Sequence, residues 1–424
     1  MQQFEPIQEF NTELKLPGDK SISHRALILS AMANGKSKIT NLSNGLDVQS
    51  TIECLKNLGV QFHYHSNELV VDGCGYKGFR EPSQPLYAGN SGTTARLLSG
   101  ILAAQDFPSQ INGDESLSKR PMDRISDPLL EMNADISLTG KTLPIKFNPA
   151  KNLKPIKYTM PVASAQVKST IILCGLHLDD QSEIYEPIQT RDHTERMLGL
   201  NVEERVNFKK IIFSKKKYPE PKEYFCPSDF SSAAFFSVLT LLMRNSQLRI
   251  KDVTLNPTRT GLLNLLQDMG ARIEIENEKE FAGEPFGDVI VSSSQLKNIQ
   301  VPKKIIPNII DELPVLSIAS LFADGDLEIH GAEELRFKET DRIKALVHNF
   351  KLLGLEVDEY PDGFKISGEI KNTKVVFDSY NDHRIAMAFS ILSILLNSEP
   401  KVDNFSCVKI SNPDFLSQLK QLNR

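Results

Sequence analysis

Six short stretches of this sequence gather hydroxyls, cations and carboxylates at places where a helix would begin. The first is LPGDKSISHRALILSAMANG, residues 16–35. Pro17-Gly18 makes a turn, and Lys20 and Ser21 then open a helical run with apolar positions at Ala26, Leu27 and Ala31. Free backbone N–H groups at a helix start, joined by a Ser hydroxyl, a Lys and Arg25 one turn on, can hold a small anion. Taken alone, the pattern is equally an N-capped helix with exposed charges. The second stretch is GNSGTTARLLSG, residues 89–100. Gly89, Asn90, Ser91 and Gly92 permit close backbone approach, Thr93-Thr94 begin a helix, and Arg96 follows in its first turn. SLSKRPMDRI, residues 116–125, sets Arg120 beside Pro121 on a loop, and SAQVKS, residues 164–169, combines a hydroxyl, an amide and Lys168.

Two further stretches add carboxylates. RFKETDRI, residues 336–343, spaces Lys338 and Arg342 at i and i+4, which predicts one helix face with Glu339 beside Lys338. By itself this also reads as a solvated, salt-bridged helix. YNDHRIAM, residues 380–387, puts Arg384 at a helix opening, and Asp311 and Glu312 precede the apolar run LPVLSIASLFA. Positioned carboxylates beside cations can move protons on an anionic substrate.

The elements that must hold these residues are legible too. The chain has 424 residues, enough for two or three domains of ordinary size. Its 40% hydrophobic and 24% charged content suits a soluble globular protein. No apolar run reaches the roughly 18–20 residues of a membrane span, and the start, MQQFEPIQEFNTELKL, lacks the pattern of a signal peptide. The five cysteines form no CxxC pair, so reduced thiols in a cytoplasm are expected, without a structural metal. The net charge of −5 argues against a non-specific nucleic-acid binder; cations collected at turns point instead to a local pocket for small anions. There is no HExxH and no P-loop, and neither metal nor organic cofactor is expected.

A weak repeat runs along the chain. Helical runs end at Leu58-Gly59, Met132-Asn133, Leu198-Gly199, Met269-Gly270 and Leu353-Gly354, each closed by a residue type that tolerates the left-handed C′ position. Before each lies another helical run, and the six openings fall near Ser21, Thr93, Val167, Ser231, Leu313 and His383; residues 414–422 would close the last pair. Strand-like runs such as LVVDG, KIIFS, DVIVS and KVVFD sit between them. Six α/β modules, three to a lobe, are the simplest architecture, with breaks near Lys20 and near Pro227-Ser228-Asp229. The run Lys215-Lys216-Lys217 reads as a solvated turn.

The chain is similar to a known family. PGDKSISHR, GNSGTTARLL, KRPMDRI, SAQVKS, TRDHTERM, IIDELP, ELRFKETDRI and YNDHRIAM occur in the order found in EPSP synthases and span residues about 16–390. The resemblance implies an inverse α/β fold of two similar domains, each of three βαβαββ units, with the active site in the interdomain cleft. Residues 1–19 and 229–424 would form one discontinuous domain, with the N-terminal strand, and residues 20–228 the other. It implies transfer of the enolpyruvyl group of phosphoenolpyruvate to the 5-hydroxyl of shikimate 3-phosphate, with release of phosphate, in chorismate and aromatic amino acid biosynthesis. Carried over motif by motif, Lys20, Ser21, Arg25, Ser164, Ala165, Gln166, Asp311 and Lys338 would hold shikimate 3-phosphate, with Thr190 or Arg191 near its phosphate. Lys20, Asn90, Gly92, Arg120, Gln166, Arg342, Arg384 and Lys409 would hold phosphoenolpyruvate. Asp311 would serve as acid–base at the 5-hydroxyl and Glu339 in proton transfer at the methylene carbon, with Lys20 as a third catalytic group. A cytoplasmic monomer without cofactor, metal, nucleic acid or membrane is expected.

One departure is that Ile410 stands where the family carries a C-terminal Lys, and Lys409 precedes it. GDKS, SAQVK, RDHTE and NPTR resemble the class II subgroup, which includes enzymes insensitive to glyphosate, yet Gly92 is kept; intermediate sensitivity is the expectation. A UDP-N-acetylglucosamine enolpyruvyl transferase would share the fold, but residues 112–124 lack its reactive Cys and Lys20 is followed by Ser-Ile. A non-catalytic anion-binding protein would tolerate loss of Asp311 or Glu339.

Overall fold

The computed structural model describes residues 1–396 and 400–423 and is built from helix pairs whose ends the sequence marks. Gly59, Asn133, Gly199, Gly270 and Gly354 have φ of 95°, 64°, 58°, 102° and 79°. This left-handed residue closes the helices Leu46–Asn57, Asp123–Glu131, His193–Leu198, Gly261–Asp268 and Arg342–Leu352. The helix Phe415–Gln421 completes the set.

The chain divides into two units. One comprises Met1–Pro17, Pro227–Lys279 and Pro285–Arg424; the other comprises Gly18–Cys226 with Glu280–Glu284. The sequence-based breaks are 19/20 and 228/229; the unit limits lie two residues earlier, and the 280–284 hairpin tip groups with the second unit.

The Gly18–Cys226 unit repeats one sheet three times. An edge strand pairs in parallel with a second strand, which pairs antiparallel with the second arm of a hairpin whose first arm forms the far edge. The parallel pairs are Glu223–Phe225 with Asn34–Thr40, Leu86–Tyr87 with Ser109–Asn112, and Lys157–Thr159 with Ser182–Glu186. The hairpins follow at 61–74, 136–147 and 201–213. The other unit carries the strand order Asn11–Lys15, Gln247–Thr254, Glu284–Ser292, Arg272–Phe281, with Asn11–Lys15 parallel to its neighbour. Its remaining sheets have three strands each. The KVVFD run contributes less than expected: only Val376–Phe377 pair, with Lys401–Val402.

The first helix of every pair is interior. Lys20–Met32, Gly92–Leu102 and Ala165–Gly175 in one unit, and Phe230–Leu242, Leu313–Ser320 and His383–Leu396 in the other, are buried along nearly their whole length. Helices that are apolar on every face must be enclosed. The second helices have an exposed side, as with Lys56 and Asn57 on Leu46–Asn57. Each unit has its own hydrophobic core, so the buried helices are fixed within it. Their N-termini, which carry partial positive charge, are where the motifs lie. Among the described residues no helix is long and apolar enough to cross a membrane.

Candidate active site

In the Gly18–Cys226 unit, the first buried helix starts where Asp19 accepts a hydrogen bond from the Ile22 backbone N–H at 2.9 Å. A Cβ on Gly18 would lie 1.9 Å from the Asn41 carbonyl oxygen, so only glycine allows this approach. The cap leaves Lys20 and Ser21 at the exposed end. Lys20 donates to Asp47 at 2.8 Å. Arg25, one turn on, donates to the Thr194 hydroxyl at 2.7 Å, the Ser169 hydroxyl at 2.8 Å and the Ser21 carbonyl at 3.0 Å. Burial pulls its pKa down to about 10, against the Glu195, Glu284 and Asp19 carboxylates. His24 is buried between them. Its Nδ1 lies 2.7 Å from the Thr51 hydroxyl, and burial, Lys20 and Arg25 hold its pKa well below the usual range.

The second buried helix is capped by Ser91, whose hydroxyl accepts from the Thr94 backbone N–H at 3.1 Å. Its first residue, Gly92, faces two guanidinium groups: an added Cβ would lie 2.9 Å from Arg96 Nη1 and 3.4 Å from Arg120 Nη1. Arg120 donates to Asn90 at 2.9 Å, and Asn90 donates to Asp114 at 2.8 Å. Arg96 donates to the Gln166 carbonyl oxygen at 2.6 Å, and the Gln166 amide donates to Thr93 at 2.9 Å. Asn90, Gly92, Arg120 and Gln166 therefore form one cluster, with Arg96 as its bridge. A hydroxyl chain joins it to the first helix: Thr51, Thr94 and Ser91 are linked at 2.7 Å each, and Thr94 also donates to the Asp47 carbonyl.

Ser164 caps the third buried helix, accepting from the Val167 N–H at 3.4 Å, and so places Ala165 and Gln166 at its start. Lys168, the cation of the SAQVKS stretch, is turned inward. It is fully buried and lies 2.7 Å from both Glu186 and Glu195. Burial opposes its charge, but the two carboxylates outweigh burial and hold its pKa above the ordinary value. Burial in turn raises that of Glu195. Thr190 donates to Glu186 from its hydroxyl at 2.5 Å and from its backbone at 3.0 Å. Arg191 follows, partly exposed.

In the other unit five of the six candidate residues form one cluster: three cations meet at Asp311, and Glu339 joins through Arg342. Asp311 Oδ1 lies 3.2 Å from Arg342 Nη1 and 3.3 Å from Lys338 Nζ, and its Oδ2 lies 3.8 Å from Arg384 Nη2. Arg342 also donates to Glu339 at 2.6 Å and to Asp382 at 2.7 Å. Burial opposes its charge, yet Asp382, Glu339 and Asp311 together raise its pKa above the ordinary range. Arg384 donates to the Asp311 carbonyl at 2.9 Å, the Ser231 hydroxyl at 3.2 Å and Glu312 at 3.5 Å. Lys409 is exposed on the short helix Phe405–Ile410 and makes no ion pair with this cluster among the described residues.

The expected common helix face for Lys338 and Arg342 is corrected. Asp341 accepts from the Lys344 N–H at 3.0 Å and starts a new helix at Arg342, while Lys338 ends the 3-10 turn Glu333–Phe337. The two cations converge on Asp311 from separate elements. Residues to which the resemblance assigned no role also appear: Asp47, Arg96, Glu186, Ser231, Arg259, Glu312 and Asp382. Asp382 had a local signal, since it accepts from the Arg384 N–H at 2.8 Å as a capping residue. The others are through-space partners. Among the described residues no group of three or more His, Cys, Asp or Glu could hold a metal ion.

The architecture is that of an enolpyruvyl transferase. The enolpyruvyl transferase NikO from Streptomyces tendae matches it with a TM-score of 0.79, covering 99% of this chain and 96% of its own, although only 14% of residues are identical. The description EPSP synthase (3-phosphoshikimate 1-carboxyvinyltransferase) matches residues 4–419, and the chain belongs to that family. A 3-phosphoshikimate 1-carboxyvinyltransferase of Petrotoga mobilis is 46% identical over 417 residues, 97% of this chain and 96% of its own. That of Salinibacter ruber is 43% identical, with 97% and 96% covered. The EPSP synthase structure from Acinetobacter baumannii is 38% identical with a TM-score of 0.85, covering 100% and 98%.

Proposed function

We propose that the chain transfers the enolpyruvyl group of phosphoenolpyruvate to the 5-hydroxyl of shikimate 3-phosphate, giving 5-enolpyruvylshikimate 3-phosphate and phosphate, in aromatic amino acid biosynthesis. It acts as a cytoplasmic monomer, and residues of both units serve the one reaction. The observation that carries this reading is the surrounding of Asp311 by Lys338, Arg342 and Arg384 within 3.2–3.8 Å, with Glu339 on the same arginine. A carboxylate beside three cations can take a hydroxyl proton where anionic groups are bound.

Both substrates are polyanions, so their approach requires positive charge to offset repulsion. In this reading Ser21, Arg25, Ser164, Ala165, Gln166, Thr190, Arg191 and Lys338 hold shikimate 3-phosphate. Asn90, Gly92, Arg120, Gln166, Arg342 and Arg384 hold phosphoenolpyruvate, Lys20 contacts both, and exposed Lys409 joins the second set. The methylene carbon gains a proton while the 5-hydroxyl oxygen bonds to the neighbouring carbon. Asp311 accepts the hydroxyl proton. The methyl group then loses a proton as the C–O bond to phosphate breaks, which restores the double bond. Glu339 lies beside Arg342 and moves the proton at that carbon.

Phosphate release is the test. It should require phosphoenolpyruvate and shikimate 3-phosphate together and should persist in EDTA. Faster release with UDP-N-acetylglucosamine as the acceptor would reject the reading.

A further inference from the structure

Lys168 is an unusual residue for the interior of a helix. Its side chain is 0% exposed, and its two partners, Glu186 and Glu195, are 2% and 4% exposed. Charges are retained in a protein interior only when paired, and apolar side chains of similar volume generally fill the same space at no loss of stability. The connections of this cluster suggest what it does. Glu186 Oε1 accepts from Lys168 Nζ at 2.7 Å and from both the backbone and the hydroxyl of Thr190. One oxygen therefore ties a buried lysine to the segment that precedes Arg191. On the other side, Glu195 neighbours Thr194, and Lys168 neighbours Ser169; these two hydroxyls lie 2.7 Å apart and both hold Arg25. Glu195 also acts electrostatically on Arg25. The cluster thus spans the first and third buried helices, the end of the strand Ser182–Glu186 and the helix His193–Leu198.

We propose that Lys168 is a positioning residue for recognition of the acceptor's phosphate, acting through Glu186 on the Thr190–Arg191 segment and through Glu195 on the setting of Arg25. This rests on the functional reading above, since it takes Thr190, Arg191 and Arg25 as groups that face shikimate 3-phosphate. Without the ammonium group, two buried carboxylates confront each other. One must take a proton or turn away, and the tether on Thr190 loosens while the helix start at Gly92 is untouched.

The test is steady-state kinetics of Lys168→Met, Glu186→Gln and Thr190→Val beside wild type, varying each substrate in turn. Lys168→Met should raise KM for shikimate 3-phosphate by about tenfold or more, with KM for phosphoenolpyruvate changed less than about twofold. Glu186→Gln keeps an acceptor for Thr190 and should shift the same KM less. Thr190→Val leaves the buried charges intact and should move it in the same direction. If Lys168→Met does not fold, the other two variants decide the matter. Unchanged KM for shikimate 3-phosphate, or an equal rise for both substrates, would overturn the inference alone. A wild type that releases no phosphate with shikimate 3-phosphate would remove the functional reading and this inference with it.

Discussion

The helices Lys20–Met32 and Phe230–Leu242 begin alike and serve different ends. Each has 13 residues, each is capped by an aspartate, Asp19 or Asp229, and each places a serine second, Ser21 or Ser231. Beyond that the side chains diverge. The first carries its own cations, Lys20 and Arg25; the second has Phe230 and Phe235 at the matching positions. The Ser21 carbonyl supports Arg25, whose direct hydrogen bonds go to two hydroxyls and that carbonyl. The Ser231 hydroxyl instead bonds Glu312, Arg259 and Arg384, and the nearby Arg342 is fixed by three carboxylates. A repeated module thus supplies the same electropositive helix start twice. Neutral support leaves the whole of Arg25's charge to act on a ligand, whereas carboxylate support makes Arg342 also hold Asp311 and Glu339 in place.

The largest effect that could break this contrast is at Asp311. Asp311→Ala should lower kcat about 10³-fold, within the usual range for loss of a general base, and should weaken substrate binding far less. Near-normal turnover would show that the carboxylate-rich cluster is only structural. A second comparison uses stability. Arg342→Met strands Asp311, Glu339 and Asp382, so it should destabilise the protein by about 3–5 kcal/mol in denaturant unfolding. Arg25→Met leaves the Ser169 and Thr194 hydroxyls bonded to each other and should lower stability by about 1–3 kcal/mol. Equal losses would erase the distinction between the two kinds of support.

The third prediction isolates one unit by pH. Burial lowers the pKa of His177 to about 4, together with Lys77 and Lys215 and against its hydrogen bonds to the backbone of Leu173 and Cys174. The unfolded chain takes up the proton near pH 6.5, and the folded chain resists until about pH 4. Stability is therefore lost as pH falls through that window, at up to about 1.4 kcal/mol per unit and about 3 kcal/mol in all. His177→Asn should flatten this part of the unfolding profile; an unchanged slope would put the acid sensitivity elsewhere. The smallest effect concerns Gly92. A methyl there meets the ends of Arg96 and Arg120, which can shift. Gly92→Ala should raise the inhibition constant for glyphosate by about tenfold and KM for phosphoenolpyruvate by less, because the longer anion meets the methyl first. Equal losses would show that residue 92 does not discriminate.

Much of this organisation was open to reading because it is local. Five helix ends were marked by Gly or Asn, and six openings by small residues or turns, since capping and left-handed φ are decided within a few residues. The motif residues came from resemblance, and their clustering within each unit followed. What stayed hidden depends on partners distant in sequence. Lys168 stands in SAQVKS as a bare cation, and only its distant partners Glu186 and Glu195 show that it points inward. Asp47 and Arg259 had no local sign of their roles. Lys338 and Arg342 have helical spacing, but the Asp341 cap starts the helix between them. The short pairing of Val376–Phe377 was likewise concealed, because β-branched residues signal a strand without fixing how much of it pairs.

The cysteines are free and unevenly shared. Cys54, Cys74, Cys174 and Cys226 belong to one unit and Cys407 to the other. Burial pushes the thiols of Cys54, Cys174, Cys226 and Cys407 up to about 12 and raises that of Cys74. Cys54, Cys174 and Cys226 are buried, so a maleimide reaches them only through opening events, whereas Cys74 and Cys407 are partly exposed. Mass spectrometry of the labelled protein then separates the two groups: three added masses arriving together mark opening of the Gly18–Cys226 unit. The protein carries, without any engineering, a label that tells when that unit breathes.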